Sequence, residues 1–465
     1  MSMSAESWVS DENAALFTDL YQLTMLQAYF REGMTEDAVF DLFVRRLGDR
    51  NYLLACGLDT VLHYLETFHF REEGLSYIES LGRFDQPFLE YLRTFRFRGT
   101  VFAVREGTPV YPNEPILEVI ASIGEAQIIE TFLLNQITFQ TNAATKASRV
   151  KQAAGSRIVA DFGMRRMHGA DAALRGARAF HIAGLDSTSN VLAGRLLGIP
   201  VTGTMAHSYI EAHDREESAF RAFASIYPET ILLVDTYDTL QGVRKVVELA
   251  RGSGDAFDVS GIRLDSGDLV QLAIQSRRIL DEAGLDEVSI FASGSLDEYA
   301  IEALLESGAP IDGFGVGTKM GTIADQPYLD TVYKISGYAG KPRMKLSSQK
   351  SNLPGRKQVF RQYRGSEAIG DVITVHDEAV DGEPLLEQVM ADGRRTDAGR
   401  RSLEDAREHA RLSLDSLPPQ SRAIRKVEPE YPVRISAALR HRLDKTRSRL
   451  EDEIGAFDQP GRAAR

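Results

Sequence analysis

The stretch Val288–Thr318, "VSIFASGSLDEYAIEALLESGAPIDGFGVGT", decides the fold. A short, mostly apolar run ends in Ser293-Gly294-Ser295. Apolar residues then recur at helical spacing through "LDEYAIEALLES". A second short run follows and ends in Gly317-Thr318. Strand, polar turn, helix, strand is the pattern of a parallel βαβ unit, because a parallel neighbour needs a crossover long enough to hold a helix.

The pattern recurs upstream. "SRIVADFG" leads into a helix around residues 169 to 182, and "GLDSTSN" into "VLAGRLLG". "IPVTGTMAH" reads as a buried strand leading into "EESAFRAFASI". "TILLVDTYDT" and "SGIRLDSGD" each precede a helical segment, and "LDTVYKI" offers a final strand. About seven or eight such units predict a parallel α/β barrel, regular or irregular, rather than an open sheet. The expected domains are an N-terminal α/β domain over residues 1–130, completed by part of 340–390, then the barrel over 131–340. A C-terminal region over 341–465, with a charged helical tail, follows.

In a parallel barrel the strand C-termini share one face, and the active site lies there. Each expected strand ends in polar residues or glycine: Asp161-Phe162-Gly163, Asp186-Ser187, Gly203-Thr204, Asp235-Thr236, Arg263 to Asp268, Ser293-Gly294 and Gly315 to Thr318. One such Asp or Ser reads as a helix cap. A whole series of them, with arginines, reads as a site.

Two loops have the chemistry of an anion site. Ser293, Gly294 and Ser295 precede a helix, whose free N–H groups and dipole favour phosphate. Gly313, Gly315, Gly317 and Gly321 let a backbone approach an anion closely, although tight turns also need glycine. The GxxxxGK[ST] phosphate loop is absent, which speaks against a P-loop ATPase. Arg165, Arg166 and Arg263 are the cations for phosphate or carboxylate. Asp265 and Asp268 either pair with them, hold ribose hydroxyls, or hold Mg²⁺ through water. His207, flanked by Thr204 and Ser208, is a general base, a phosphoryl acceptor or a packing residue. His213 reads as structural.

The chain has 465 residues and a net charge of −13, which argues against a general nucleic-acid or membrane binder. Its single cysteine, Cys56, fits a reducing, cytoplasmic setting. The start "MSMSAESWVSDENAAL" lacks the pattern of a signal peptide. No run approaches the roughly 18 apolar residues that span a bilayer.

The motifs "TDLYQLTM", "DFGMRRMHG", "GLDSTSNVLAG", "GTMAHSY", "LVDTYDT", "GIRLDSGDL", "FASGSLDE", "GFGVGT", "PRMKLSSQKSNLPGRKQVFR" and "EPEYPVRIS" occur in this order. Together they resemble the nicotinate phosphoribosyltransferase family. The resemblance implies a type II phosphoribosyltransferase fold and synthesis of nicotinate mononucleotide and pyrophosphate from nicotinic acid and phosphoribosyl pyrophosphate. It implies ATP as a co-substrate, Mg²⁺, and a homodimer with shared active sites. It makes His207 a phosphohistidine and puts Tyr21, from the neighbouring subunit, and Thr204 at nicotinate. Phe162 is expected to stack on the pyridine ring, with Arg263 and Thr318 near the ribose and phosphate. Asp265 is expected among the catalytic residues, and Ser208, Ser266 and Asp268 at the substrate.

The rival readings are a nicotinamide or quinolinate phosphoribosyltransferase, a barrel aldolase or isomerase with Lys319 as the nearest lysine, and a non-catalytic phosphosugar-binding barrel.

Overall fold

The computed structural model describes residues 8–346 and 352–457. The opening of the first segment, part of the "PRMKLSSQKSNLPGRKQVFR" motif (347–351) and the end of the tail lie outside the described residues. The chain forms two compact units: Asn142–Pro327, and Met1–Thr141 taken together with Tyr328–Arg465.

The first of these is built on a six-stranded parallel sheet. Its strands run in the order Ser187–Thr188, Ile158–Asp161, Gly313–Val316, Ser289–Ala292, Val259–Leu264 and Thr230–Leu233. Val159, Ile262, Ile290 and Phe314 are fully buried, as strands covered on both faces require. Helices follow the strands, and strand-end side chains cap several of them. Asn190, Asp238, Asp268 and Asp297 accept from backbone N–H groups in the first turns of their helices. Each such cap stabilises its helix by about 1 kcal/mol.

The sheet is an open half-barrel. "IPVTGT" does not form the expected buried strand. Among the described residues it contributes one isolated bridge, Val201 to Thr188, and Val201 is exposed. Apolar β-branched composition specifies a strand only where a neighbour completes the ladder, and Thr230–Leu233 ends the sheet instead of pairing with this segment. "LDTVYKI" also departs from expectation. Thr331–Tyr338 pairs antiparallel with Asp37–Val44, so it belongs to the other unit.

That other unit holds a seven-stranded antiparallel sheet. Its strands run Lys341–Pro342, Thr331–Tyr338, Asp37–Val44, Pro115–Ser122, Thr100–Val104, Leu386–Ala391 and Arg394–Arg395. A four-stranded sheet accompanies it, centred on Lys357–Arg364 and Glu367–Val375. The charged tail contains the helices Leu403–Asp415 and Ala437–Phe457, with the strand Val433–Ile435 between them. A capping box at Ser402 and Asp405 starts the earlier helix. No helix among the described residues is long and apolar enough to cross a membrane.

Candidate active site

A cavity of about 730 Å³ opens at the C-terminal ends of the parallel strands. Its size suits a ligand of nucleotide dimensions. Phe162, Arg165, Arg166 and Arg263 line one part of it, and Thr204, His207, Ser208 and Asp265 another. Ser293, Gly294, Gly315, Gly317 and Thr318 complete it. All these residues were expected at the mouth; parallel topology gathers the strand-end ones, and the irregular segment after Val201 brings Thr204, His207 and Ser208 to them.

The turn after Ile158–Asp161 fixes Phe162. Gly163 N donates to Asp161 Oδ1 at 2.8 Å, and Thr188 Oγ1 donates to Asp161 Oδ2 at 2.7 Å. Burial of Asp161 raises its pKa, and these two donors oppose that shift. Phe162 N donates to Val316 O at 2.8 Å. The Phe162 ring lies against Gly315, where a Cβ would come within 2.4 Å of it. Arg263 stands over the ring, its guanidinium carbon 5.9 Å from the centroid. The same arginine donates to Met205 O at 2.8 Å, while its Nε is buried with no partner. Burial lowers its pKa, and the nearby Asp265 and Asp235 act in the opposite direction. Arg165 and Arg166 are exposed and pair with no carboxylate among the described residues.

His207 opens the short helix His207–Glu211. Its Nδ1 lies 3.1 Å from Thr236 Oγ1 and its Nε2 lies 3.8 Å from Asp265 Oδ2. Asp265 is itself held in place. Its N–H donates to Asp235 Oδ2 at 2.9 Å, and Ser293 Oγ donates to its Oδ1 at 2.5 Å. Its carbonyl presses on Gly294, where a Cβ would sit 1.9 Å from the oxygen, so only glycine fits. Gly294 and Ser295 both have left-handed backbones, φ +88° and +52°. The Thr204 hydroxyl is buried without a partner, a state that a ligand would relieve.

The glycines have a second explanation. Gly313 faces the Phe291 ring and Gly321 the Met167 side chain, and neither lines the cavity. Their freedom from a Cβ serves packing rather than an anion.

Some expected residues lie elsewhere. Asp268 is exposed and caps the helix Leu269–Glu282, with Gln271 N donating to its Oδ1 at 3.2 Å. Ser266 donates to Asp235 Oδ2 at 2.6 Å and does not line the cavity. Tyr21, expected to reach the site of a neighbouring subunit rather than its own, is exposed on the helix Leu20–Glu32 of the other unit. His213 packs on Tyr209, with its Nδ1 2.9 Å from that residue's carbonyl. Asp235, Thr236 and Asp161, which hold the site residues in place, stood in the strand-end series but had no role assigned to them. Each is a strand-end polar residue, the signal that found the others.

This is the architecture of an α/β half-barrel protein with its cavity at the strand C-termini, where enzymes of such folds carry their active sites. Comparison with known proteins narrows it. The chain matches family models for the nicotinate phosphoribosyltransferase (NAPRTase) N-terminal domain over 16–138, the family itself over 158–352, and the C-terminal domain over 379–443. It is 50% identical over 435 residues to nicotinate phosphoribosyltransferase pncB2 of Mycobacterium tuberculosis, covering 92% of this chain and 94% of that one. It is 42% identical to the Bacillus subtilis nicotinate phosphoribosyltransferase, covering 81% of this chain and 79% of that one. The crystal structure of human nicotinic acid phosphoribosyltransferase superposes with a TM-score of 0.81 at 29% identity, covering 92% of this chain and 99% of that one. The chain belongs to the nicotinate phosphoribosyltransferase family, whose enzymes serve NAD biosynthesis.

Proposed function

We propose that the chain joins nicotinic acid to phosphoribosyl pyrophosphate, releasing nicotinate mononucleotide and pyrophosphate, and couples this to ATP hydrolysis through His207. One observation carries the reading: an aromatic ring faced by a half-buried arginine shares a single cavity with two glycine loops and a carboxylate-faced histidine.

Phe162 stacks on the pyridine ring, and the Thr204 hydroxyl and Ser208 serve the nicotinate end. Ser293, Gly294, Gly315, Gly317 and Thr318 receive the 5′-phosphate, with Arg263 between phosphate and ribose. Arg165 and Arg166 neutralise the departing pyrophosphate. Displacement at the anomeric carbon builds oxocarbenium character, so the residues act by alignment and by stabilising the leaving group. Asp265 suits Mg²⁺, because its Oδ2 faces the cavity and Mg²⁺ favours one or two carboxylates plus substrate phosphates. Bound there, the ion would screen the pyrophosphate charge. Asp268 is occupied as a helix cap and is the weaker ligand.

The His207 imidazole attacks the γ-phosphorus of ATP. A P–N bond forms, the P–O bond to ADP breaks, and the ring proton leaves. The phosphoryl group adds roughly two negative charges, by analogy with phosphorylated hydroxyls. That charge, beside Asp265, alters the mouth's affinity for its anionic substrates. Tyr21 completes the nicotinate site of a second copy in a homodimer. The buried Cys56 supports a cytoplasmic setting.

The aldolase reading loses support because the Lys319 amine is engaged by Asp297 at 2.7 Å. The test supplies nicotinic acid, nicotinamide or quinolinate with phosphoribosyl pyrophosphate, with and without ATP. ATP-stimulated product from nicotinic acid is expected. Product from another pyridine alone, or binding without turnover, would overturn the reading.

A further inference from the structure

Lys319 and Asp297 tie together the two glycine loops assigned above to the phosphate. Lys319 directly follows Thr318, and its Nζ lies 2.7 Å from Asp297 Oδ2. Asp297 closes the Ser293–Gly294–Ser295 turn. Its Oδ1 accepts from Ala300 N at 2.9 Å and so caps the helix Glu298–Glu306. One carboxylate thus fixes one loop through its cap and the other through its ion pair.

A second tie lies behind the first. Lys146 Nζ is 2.6 Å from Glu298 Oε2 and 2.7 Å from Asp325 Oδ1. Arg149 spans the same two carboxylates at 3.2 and 3.0 Å. Glu298 begins the helix after the Ser293 loop, and Asp325 lies just beyond the short helix Thr318–Gly321. Lys146, Arg149 and Glu298 are buried. None of these residues lines the cavity.

The loops need such support. Ser295 holds a left-handed backbone that is costly for a residue with a Cβ. Donors that converge on an anion lose their grip when their spacing drifts. We infer that Lys319–Asp297 is a positioning pair that sets the spacing of the two loops, and through it the affinity for the phosphorylated substrate. The inference rests on the assignment of these loops to phosphoribosyl pyrophosphate.

The competing explanation is that Lys319 contacts the phosphate itself. Asp297→Asn separates the two. Asparagine caps a helix as well as aspartate does but removes the ionic partner. It weakens substrate binding if the pair positions the loops, and leaves it intact or improves it if it merely frees a phosphate-binding lysine.

The experiment measures KM for phosphoribosyl pyrophosphate, KM for nicotinic acid, and kcat in wild type, Lys319→Met, Asp297→Asn, the double variant and Lys319→Arg. Lys319→Met and Asp297→Asn should each raise KM for phosphoribosyl pyrophosphate about fivefold, the scale of one partly exposed ion pair. KM for nicotinic acid and kcat should hold. The double variant should be no worse than either single one, and Lys319→Arg should restore the wild-type value. An active wild type with unchanged KM in Asp297→Asn, equal shifts in both substrates' KM, or additive effects would overturn the pair alone. A wild type with no turnover on phosphoribosyl pyrophosphate would overturn the parent reading, and the pair with it.

Discussion

The His207 Nδ1 lies 3.1 Å from the Thr236 hydroxyl oxygen, which fixes the plane of the ring. Its other nitrogen faces the Asp265 carboxylate at 3.8 Å, beyond hydrogen-bond range. A loosely engaged ring nitrogen turned toward a cavity is placed to accept a phosphoryl group.

Removal of the imidazole should therefore separate two activities. His207→Ala is expected to lose all stimulation by ATP while retaining the slower ATP-independent reaction. Wild type should take acid-labile label from γ-labelled ATP, and the variant none. Thr236→Val should slow labelling by about tenfold, the worth of one hydrogen bond to a reacting group. Full ATP stimulation in His207→Ala would end the phosphohistidine reading.

Gly315→Ala tests Phe162 without touching it. The added Cβ would meet the ring at 2.4 Å, so the ring must turn away from the position that faces Arg263. KM for nicotinic acid should rise by about tenfold, in the range of overpacking costs. An unchanged KM would show that the ring's position does not matter to the pyridine.

Asp235 acts through Asp265 and Ser266, whose N–H and hydroxyl both donate to its Oδ2. Asp235→Ala leaves both donors without this acceptor. A fall in kcat/KM of about a hundredfold is expected, near the cost of two unmet hydrogen bonds. Asp235→Asn should lose less, because an amide oxygen still accepts. Equal activity in both variants and wild type would contradict the role.

His409, in the other unit, ties stability to pH. Burial pushes its imidazole down to about 4, and Arg105, Arg401 and Arg361 act in the same direction. Thr108 and Ser413 hydroxyls lie 3.0 and 3.2 Å from its Nε2. The unfolded chain, with an imidazole pKa of about 6.5, binds the proton first. Stability should thus fall as pH drops from about 6.5 toward 4, by about 3 kcal/mol at most from this group. His409→Gln should flatten that slope in urea denaturation measured across the window. Parallel slopes in the two proteins would exclude His409 as the source.

Much of this was legible in the residues. Alternation of strand and helix names a parallel sheet, and a parallel sheet puts every strand's end on one face. Phe162, Arg263, Asp265 and Ser293 could be gathered from that rule alone. Asp268 could not be separated from Asp265, because a capping carboxylate and a site carboxylate look alike in one dimension and differ only in where the side chain points. The period of "LDTVYKI" predicts a strand but carries no information about which sheet receives it. The glycines at 313 and 321 answer to Phe291 and Met167, and contacts across the fold leave no local trace. Asp235 and Thr236 carried the same strand-end signal as the others, but their role depends on distances that only the fold supplies.

The isolated Thr188–Val201 bridge has a mechanical consequence. Thr188 N donates to Pro200 O and Thr202 N to Thr188 O, each at 3.0 Å, and these bonds hold the start of the segment leading to His207, while Arg263 reaches Met205 O and Thr236 meets the His207 ring farther along. The other wall strands of the mouth, apart from Thr230–Leu233, are clamped on both flanks. The histidine therefore rides on a span pinned at a few separate points, whereas the glycine loops opposite hang from strands paired along both edges. To make room for charge placed on its ring, only those few pins would have to shift, not a whole strand ladder.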